Sequence, residues 1–190
     1  MDPIGIRFAG FGGQGVILAG MIVGRAATIY ENRHATLIQS FGPEARGSAC
    51  SAQLVISSKP VLYPYLDRTD ILVALSQEGY TRFAPSLKPD GMLILEQDLV
   101  TPTCGGPSGG TFAIPATRIA EEVGRRLILN VVMVGFTAAV TGILSPEAAR
   151  RAVRDSVPKG TESLNLEAFE KGWNFGLEVA GLAARGRQVS

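Results

Sequence analysis

Cysteine and histidine are scarce in this 190-residue chain: two cysteines, Cys50 and Cys104, and one histidine, His34. Two distant thiols cannot build a four-cysteine zinc site or hold an iron–sulfur cluster by themselves. A disulfide framework is equally out of reach, so a reducing cytoplasm is the expected location. One histidine leaves little for a His-based metal centre or a histidine-dependent triad. Charge is sparse too, at 18% of residues with a formal net charge of +1. That balance gives no basic face, which nucleic acid and acidic lipid both need. Nor does the start show a basic, cleavable targeting segment; Ile4 to Ala9 is already an apolar strand pattern. On composition alone, the chain carries no redox metal of its own.

Long apolar runs are few. Phe8 to Gly24 is uncharged but broken by Gly10, Gly12, Gly13 and Gly15. Leu127 to Leu144 is uncharged as well, at the lower edge of a membrane span. It contains Asn130, Gly135, Thr137, Thr141 and Gly142, and charged helices flank it, so a buried helix is the expectation.

What is present suits a folded domain: 46% hydrophobic residues and 23 glycines, many of them gathered in loops. Apolar runs predict strands over 4–9, 35–41, 50–57, 71–75, 91–96 and 111–115. Helical patterns fill 13–30, 77–87 and 117–123, and then nearly everything from 127 onward. Ser145 followed by Pro146 is a strong helix start. The last helix, from about Leu164, sets Leu166, Phe169, Trp173, Leu177 and Ala180 on one face. The short loop between the second and third strands makes them an antiparallel pair. This alternation predicts one α/β domain over residues 1–190. It has three α/β/α layers, a mostly parallel sheet and a helical C-terminal third.

Two motifs stand out. Gly10-Phe11-Gly12-Gly13-Gln14-Gly15 fits G-x-G-x-x-G between a strand and a helix. Such glycines permit a tight turn and let a phosphate approach the helix N-terminus. The acidic residue expected about twenty positions on is missing, since the second strand ends Leu37-Ile38-Gln39-Ser40. The loop therefore suits an anion or cofactor more than NAD, and tight strand-to-helix packing is the plain alternative. The second motif, residues 39–48, holds Glu44 and Arg46 between Pro43 and Gly47. It is either a rigid acid and anion-binding fork at the same sheet edge or a solvated turn. The 127–144 helix faces either the core or another subunit. Phe169 and Trp173 read as core packing, Cys50 as a small apolar filler and His34 as a surface residue. Cys104 has nothing basic beside it to lower its pKa.

Together GFGGQG (10–15) and QSFGPEARGSACSAQLVIS (39–57) resemble the gamma subunits of 2-oxoacid:ferredoxin (or acceptor) oxidoreductases. DILVALSQEGY (70–80), LKPDGMLILEQDLV (87–100), Asn130 and TGILSPEAARRAV (141–153) continue the similarity to about residue 180. The PEARGS wording is most similar to the 2-oxoglutarate type. The resemblance implies a Rossmann-like domain within a complex that decarboxylates a 2-oxoacid on thiamine diphosphate with magnesium. Electrons then pass through iron–sulfur clusters to ferredoxin, and the acyl group goes to coenzyme A. Those groups would sit in alpha, beta or delta partner subunits, and this chain alone would be inactive. It also implies that Gly10, Gly12, Gly13, Gln14 and Gly15, with Glu44 and Arg46 on the companion loop, face coenzyme A or a subunit interface. No residue here is expected to be a catalytic base, because thiamine diphosphate carries the difficult chemistry. A stand-alone NAD- or FAD-binding module and a purely structural subunit are the rival readings, and self-association of the isolated chain is a further expectation.

Overall fold

The computed structural model describes residues 2–41, 49–103 and 106–188, with 182–188 as backbone only. Glu44, Arg46 and Cys104 lie outside the described residues. Six strands form one sheet: β1 (Ile4–Phe11), β2 (His34–Ser40), β3 (Ala49–Ser57), β4 (Thr69–Ala74), β5 (Leu87–Glu96) and β6 (Thr111–Ile114). Their order is β2-β3-β1-β4-β5-β6. β3 runs antiparallel to both β2 and β1, while β1, β4, β5 and β6 run parallel. The expected antiparallel pair is present, and β2 consequently runs in the same direction as β1.

Side-chain alternation along β1 builds two cores. Ile6 and Phe8 face one side with Cys50, Ala52, Leu54 and Ile56 of β3. Ala9 faces the other with Leu72, Ala74 and Leu93. The first core is covered by α1 (Val16–Arg25), α3 (Ala116–Val123), α4 (Leu129–Thr141), α5 (Pro146–Ser156) and α6 (Glu162–Gln188). The second is covered, among the described residues, by one short helix, α2 (Gln77–Phe83). The three layers are thus present but unequal.

Local chemistry sets the helix boundaries. Ser145 accepts a hydrogen bond from the Ala148 N–H at 3.3 Å and Pro146 opens α5, as its sequence predicts. Gly142, left-handed at φ 63°, ends α4. The helix expected over 13–30 is shorter than its sequence suggests. α1 ends at Arg25, and residues 26–30 widen into a π-helical turn before β2.

Every residue of α4 from Leu129 to Ala138 is buried, and α1, α3, α5 and α6 surround it. It is therefore a central core helix. The alternative that its spare apolar face meets another subunit fails, because no such face is left over. The case for self-association of the isolated chain loses that support. Burying Phe136 completely contributes roughly 2–3 kcal/mol on area grounds.

The expected aromatic stripe on α6 is corrected in detail. Phe169 is fully buried and stacks on half-buried Trp173 at 6.0 Å, but Leu177 is 51% exposed. The inner face instead uses small residues. A Cβ at Gly172 would stand 2.1 Å from the Val132 carbonyl oxygen, and one at Gly135 would stand 2.3 Å from that of Phe169. Backbone meets backbone here, which no periodicity of apolar side chains announces.

Cys50 lies in the first core as read from sequence, and burial raises its thiol pKa above the ordinary range. The thiolate is the reactive form, so its fraction at neutral pH falls below that of a free cysteine. In a Cys104→Ser background, iodoacetamide should label Cys50 at least about tenfold more slowly in the folded chain than in urea. Equal rates would show that the thiol is not enclosed.

Candidate functional site

β1 and β4 are neighbours, yet their connections leave on opposite faces. β1 leads into α1 on the five-helix side, and β4 leads into α2 on the other. Between the carboxyl ends of two such strands a crevice opens, and open α/β sheets bind ligands there. The glycine loop, residues 12–15, sits at this point.

Its glycines divide by task. A Cβ at Gly10 would meet the Gln14 Oε1 at 2.5 Å and Val16 at 2.9 Å. The absent side chain leaves room for Gln14 to fold back. Gln14 Oε1 accepts from the Phe11 N–H at 2.7 Å, and its Nε2 donates to the Leu75 carbonyl at 2.9 Å. The side chain thus ties the end of β1 to the end of β4 and holds the loop's shape. Gly15 caps α1 in the left-handed conformation, φ 71°, and a Cβ there would lie 2.5 Å from the Asn130 side chain. Asn130, buried near the start of α4, donates through Nδ2 to the Gly15 carbonyl at 3.2 Å. Gly13, at φ 99°, is exposed, and a Cβ there would meet nothing within 4 Å.

The first turn of α1 has no side-chain cap and no acidic residue. Its N–H groups and the helix dipole favour an anion arriving over Gly13. The same rim carries the N-terminus of α2, where Ser76 Oγ accepts from the Gly79 N–H at 3.1 Å. Gly79 packs so tightly on β1 that a Cβ would lie 2.9 Å from the Ala9 carbonyl carbon.

Ser40 pairs with Ser51, and Phe11 pairs with Ala49, so the described residues on either side of 42–48 lie beside the glycine loop. The sequence placed the two motifs at one sheet edge, and the strand register brings their flanks together. The insertion of β3 also bears on NAD. The strand next to β1 on that side is antiparallel, and the end of β2, with exposed Gln39 and Ser40, stands one strand away. Among the described residues, no carboxylate is placed there to meet an adenosine ribose.

Sequence reading missed two polar residues that hold this rim and its opposite end. Glu96, at the end of β5, is fully buried and accepts from the N–H groups of Asp98 (2.8 Å), Leu99 (2.7 Å) and Thr117 (3.0 Å). Asp70, at the start of β4, accepts from the Gly5 N–H at 2.7 Å and pairs with the Lys88 Nζ at 2.6 Å. Each is an acid at one end of an apolar strand run, the one signal the sequence offered. Among the described residues, no group of three or more His, Cys, Asp or Glu side chains gathers to hold a metal ion.

Comparison with known proteins gives this site its family. The model of the family pyruvate ferredoxin/flavodoxin oxidoreductase matches residues 5–175. The 2-oxoglutarate synthase subunit KorC of Methanocaldococcus jannaschii is 46% identical over 176 residues, covering 92% of this chain and 94% of that protein. The keto/oxoacid ferredoxin oxidoreductase gamma subunit of Geobacter sulfurreducens superposes with a TM-score of 0.81 at 40% identity. That match covers 92% of this chain and 99% of the other. A 2-oxoglutarate:ferredoxin oxidoreductase chain from Magnetococcus marinus, solved with 2-oxoglutarate, coenzyme A and succinyl-CoA, shares the fold at a TM-score of 0.76 and 23% identity. The fold there spans 93% of this chain but 31% of the longer one. The glycine loop, its companion segment and the sheet that joins them therefore belong to a chain of the gamma-subunit type in the pyruvate ferredoxin/flavodoxin oxidoreductase family.

Proposed function

We propose that this chain is the gamma subunit of a cytoplasmic, multi-subunit 2-oxoglutarate:ferredoxin oxidoreductase, acting as one domain over residues 1–190. The reaction is coenzyme A-dependent oxidative decarboxylation, giving succinyl-CoA, carbon dioxide and reduced ferredoxin. Support for 2-oxoglutarate comes from the PEARGS segment and from the similarity to KorC. The observation that carries the role is the glycine loop at the β1/β4 switch point, with an uncapped helix start behind it.

Thiamine diphosphate with magnesium supplies carbanion stabilisation, and iron–sulfur clusters carry the electrons, all in alpha, beta or delta partner subunits. What falls to this chain is anion binding and shape. The open position at Gly13, next to Gly12, lets a coenzyme A phosphate reach the first turn of α1, and Gly10 and Gly15 permit the folding that Gln14 and Asn130 then fix. From the sequence, Glu44 and Arg46 would add an acid and a fork-shaped guanidinium suited to phosphate oxygens.

The test is reconstitution. The isolated chain should show no oxidoreductase activity, and activity should appear with its partner subunits. In that complex Arg46→Ala should raise the KM for coenzyme A about tenfold, the value of one charge-assisted contact, and Gly12→Ala should raise it by crowding the phosphate's approach. KM values like the parent's would leave the loop a packing element only.

A further inference from the structure

The thin face of the sheet carries an unusual pair of cations. Arg7, in the middle of β1, is half-buried on the α2 side, with its guanidinium carbon 4.4 Å from the centroid of the Phe83 ring. Exposed Arg82 stands at the same ring, 5.3 Å from its centroid. Among the described residues no carboxylate lies within ion-pair distance of either one. Arg7 donates to Gln53 Oε1, but its Nε is buried without a partner. Burial, and after it Arg82, holds the Arg7 guanidinium below its ordinary pKa range. Two guanidiniums sharing one ring, one of them half-buried, make a place where an approaching anion is favoured.

The patch continues past the cations. Gln53 Nε2 donates to the Pro64 carbonyl at 3.0 Å, so one side chain links Arg7 to the 58–68 segment. On that segment Leu62 is 93%, Tyr63 71% and Tyr65 61% exposed, and the two tyrosine rings lie 5.6 Å apart. Tyrosine and arginine around exposed apolar surface is the composition of an interface centre, where a few such residues dominate affinity. The opposite face of the sheet is closed by five helices.

We propose that this surface, formed by Arg82, Phe83 and the Leu62–Tyr65 segment over Arg7, docks an acidic face of another subunit of the oxidoreductase. A carboxylate from that subunit enters between the two guanidiniums, and the tyrosines cover the apolar rim. The inference rests on the multi-subunit reading given above.

The test uses the complex. The chain is co-expressed with the other subunits of its oxidoreductase, and binding is measured at low and high salt. Arg82→Glu should weaken assembly about tenfold and flatten its salt dependence. The Tyr63→Ala, Tyr65→Ala double variant should weaken assembly comparably with its salt dependence retained. Arg154→Glu, exposed on α5 behind the opposite face, should assemble like the parent. Docking at this surface is overturned if Arg82→Glu assembles normally, or if Arg154→Glu weakens assembly as much. It is overturned equally if the isolated chain dimerises through Arg82, since a second copy would then own the surface. Failure of the parent chain to assemble at all would overturn this inference and the subunit reading together.

Discussion

Replacing Gly172 with alanine should destabilise the chain by about 2–3 kcal/mol, while the same change at Gly181 in the same helix should stabilise it by up to about 1 kcal/mol. Both glycines lie in α6, so intrinsic helix propensity favours alanine at each by a similar amount. The surroundings decide the sign. A Cβ at Gly181 meets nothing within 4 Å, whereas one at Gly172 lands 2.1 Å from the Val132 carbonyl oxygen. That oxygen belongs to the backbone of α4, which is buried from Leu129 to Ala138 and cannot turn aside as a flexible side chain would. The helices must therefore move apart. Separation also opens the neighbouring close approaches at Gly135 and Gly176, where added Cβ atoms would lie 2.3 and 2.6 Å from their nearest neighbours. The lost packing outweighs the gain in propensity. Urea titrations of the two variants measure this directly. A Gly172→Ala chain as stable as its parent would mean that α4 and α6 do not approach so closely.

These contacts mark where sequence reading stops. Alternation and apolar runs are local, so β1, β3 and β4 and the start of α5 at Ser145-Pro146 were legible from the chain itself. The glycine loop was legible as a turn between strand and helix, because that geometry is also local. Its internal division was not. Gly10 gives way to Gln14, four residues on, but Gly15 gives way to Asn130, and nothing in a one-dimensional pattern joins positions so far apart. The unequal layering was hidden for a similar reason. Which face a helix covers depends on the handedness of its connection and on strand order, and β3 enters the sheet between β2 and β1. The apolar helix α4 was ambiguous because an enclosed helix and a subunit-facing one share one composition. Only the position of α6, packed through glycine, decides between them.

Removing the Glu96 carboxylate should have the largest effect of any single polar change away from the glycine loop. Glu96→Ala should cost about 3–5 kcal/mol, and the near-isosteric Glu96→Gln about 2 kcal/mol. The carboxylate is fully buried, and its two oxygens are answered from two directions. Oε2 takes the N–H groups of Asp98 and Leu99 in the turn that leaves β5, and Oε1 takes the N–H of Thr117 in the first turn of α3. One side chain thus serves as the cap that α3 otherwise lacks, since Pro115 has no side-chain donor or acceptor. A negative charge at a helix start is also favoured by the dipole. Alanine leaves the Asp98 and Thr117 N–H groups without their acceptor, leaves Leu99 only its 3.3 Å bond to the residue 96 carbonyl, and opens a space where the side chain stood. Glutamine keeps the volume but turns an N–H₂ group toward at least one N–H, so one bond is lost and two donors face each other. The order alanine, glutamine, parent is therefore expected in urea midpoints. Hydrogen exchange should locate the damage, with faster exchange at the amides of Asp98, Leu99 and Thr117 than at those of β1. If Glu96→Ala unfolds within about 1 kcal/mol of the parent, water must reach those amides and the carboxylate is not the clasp between β5 and α3.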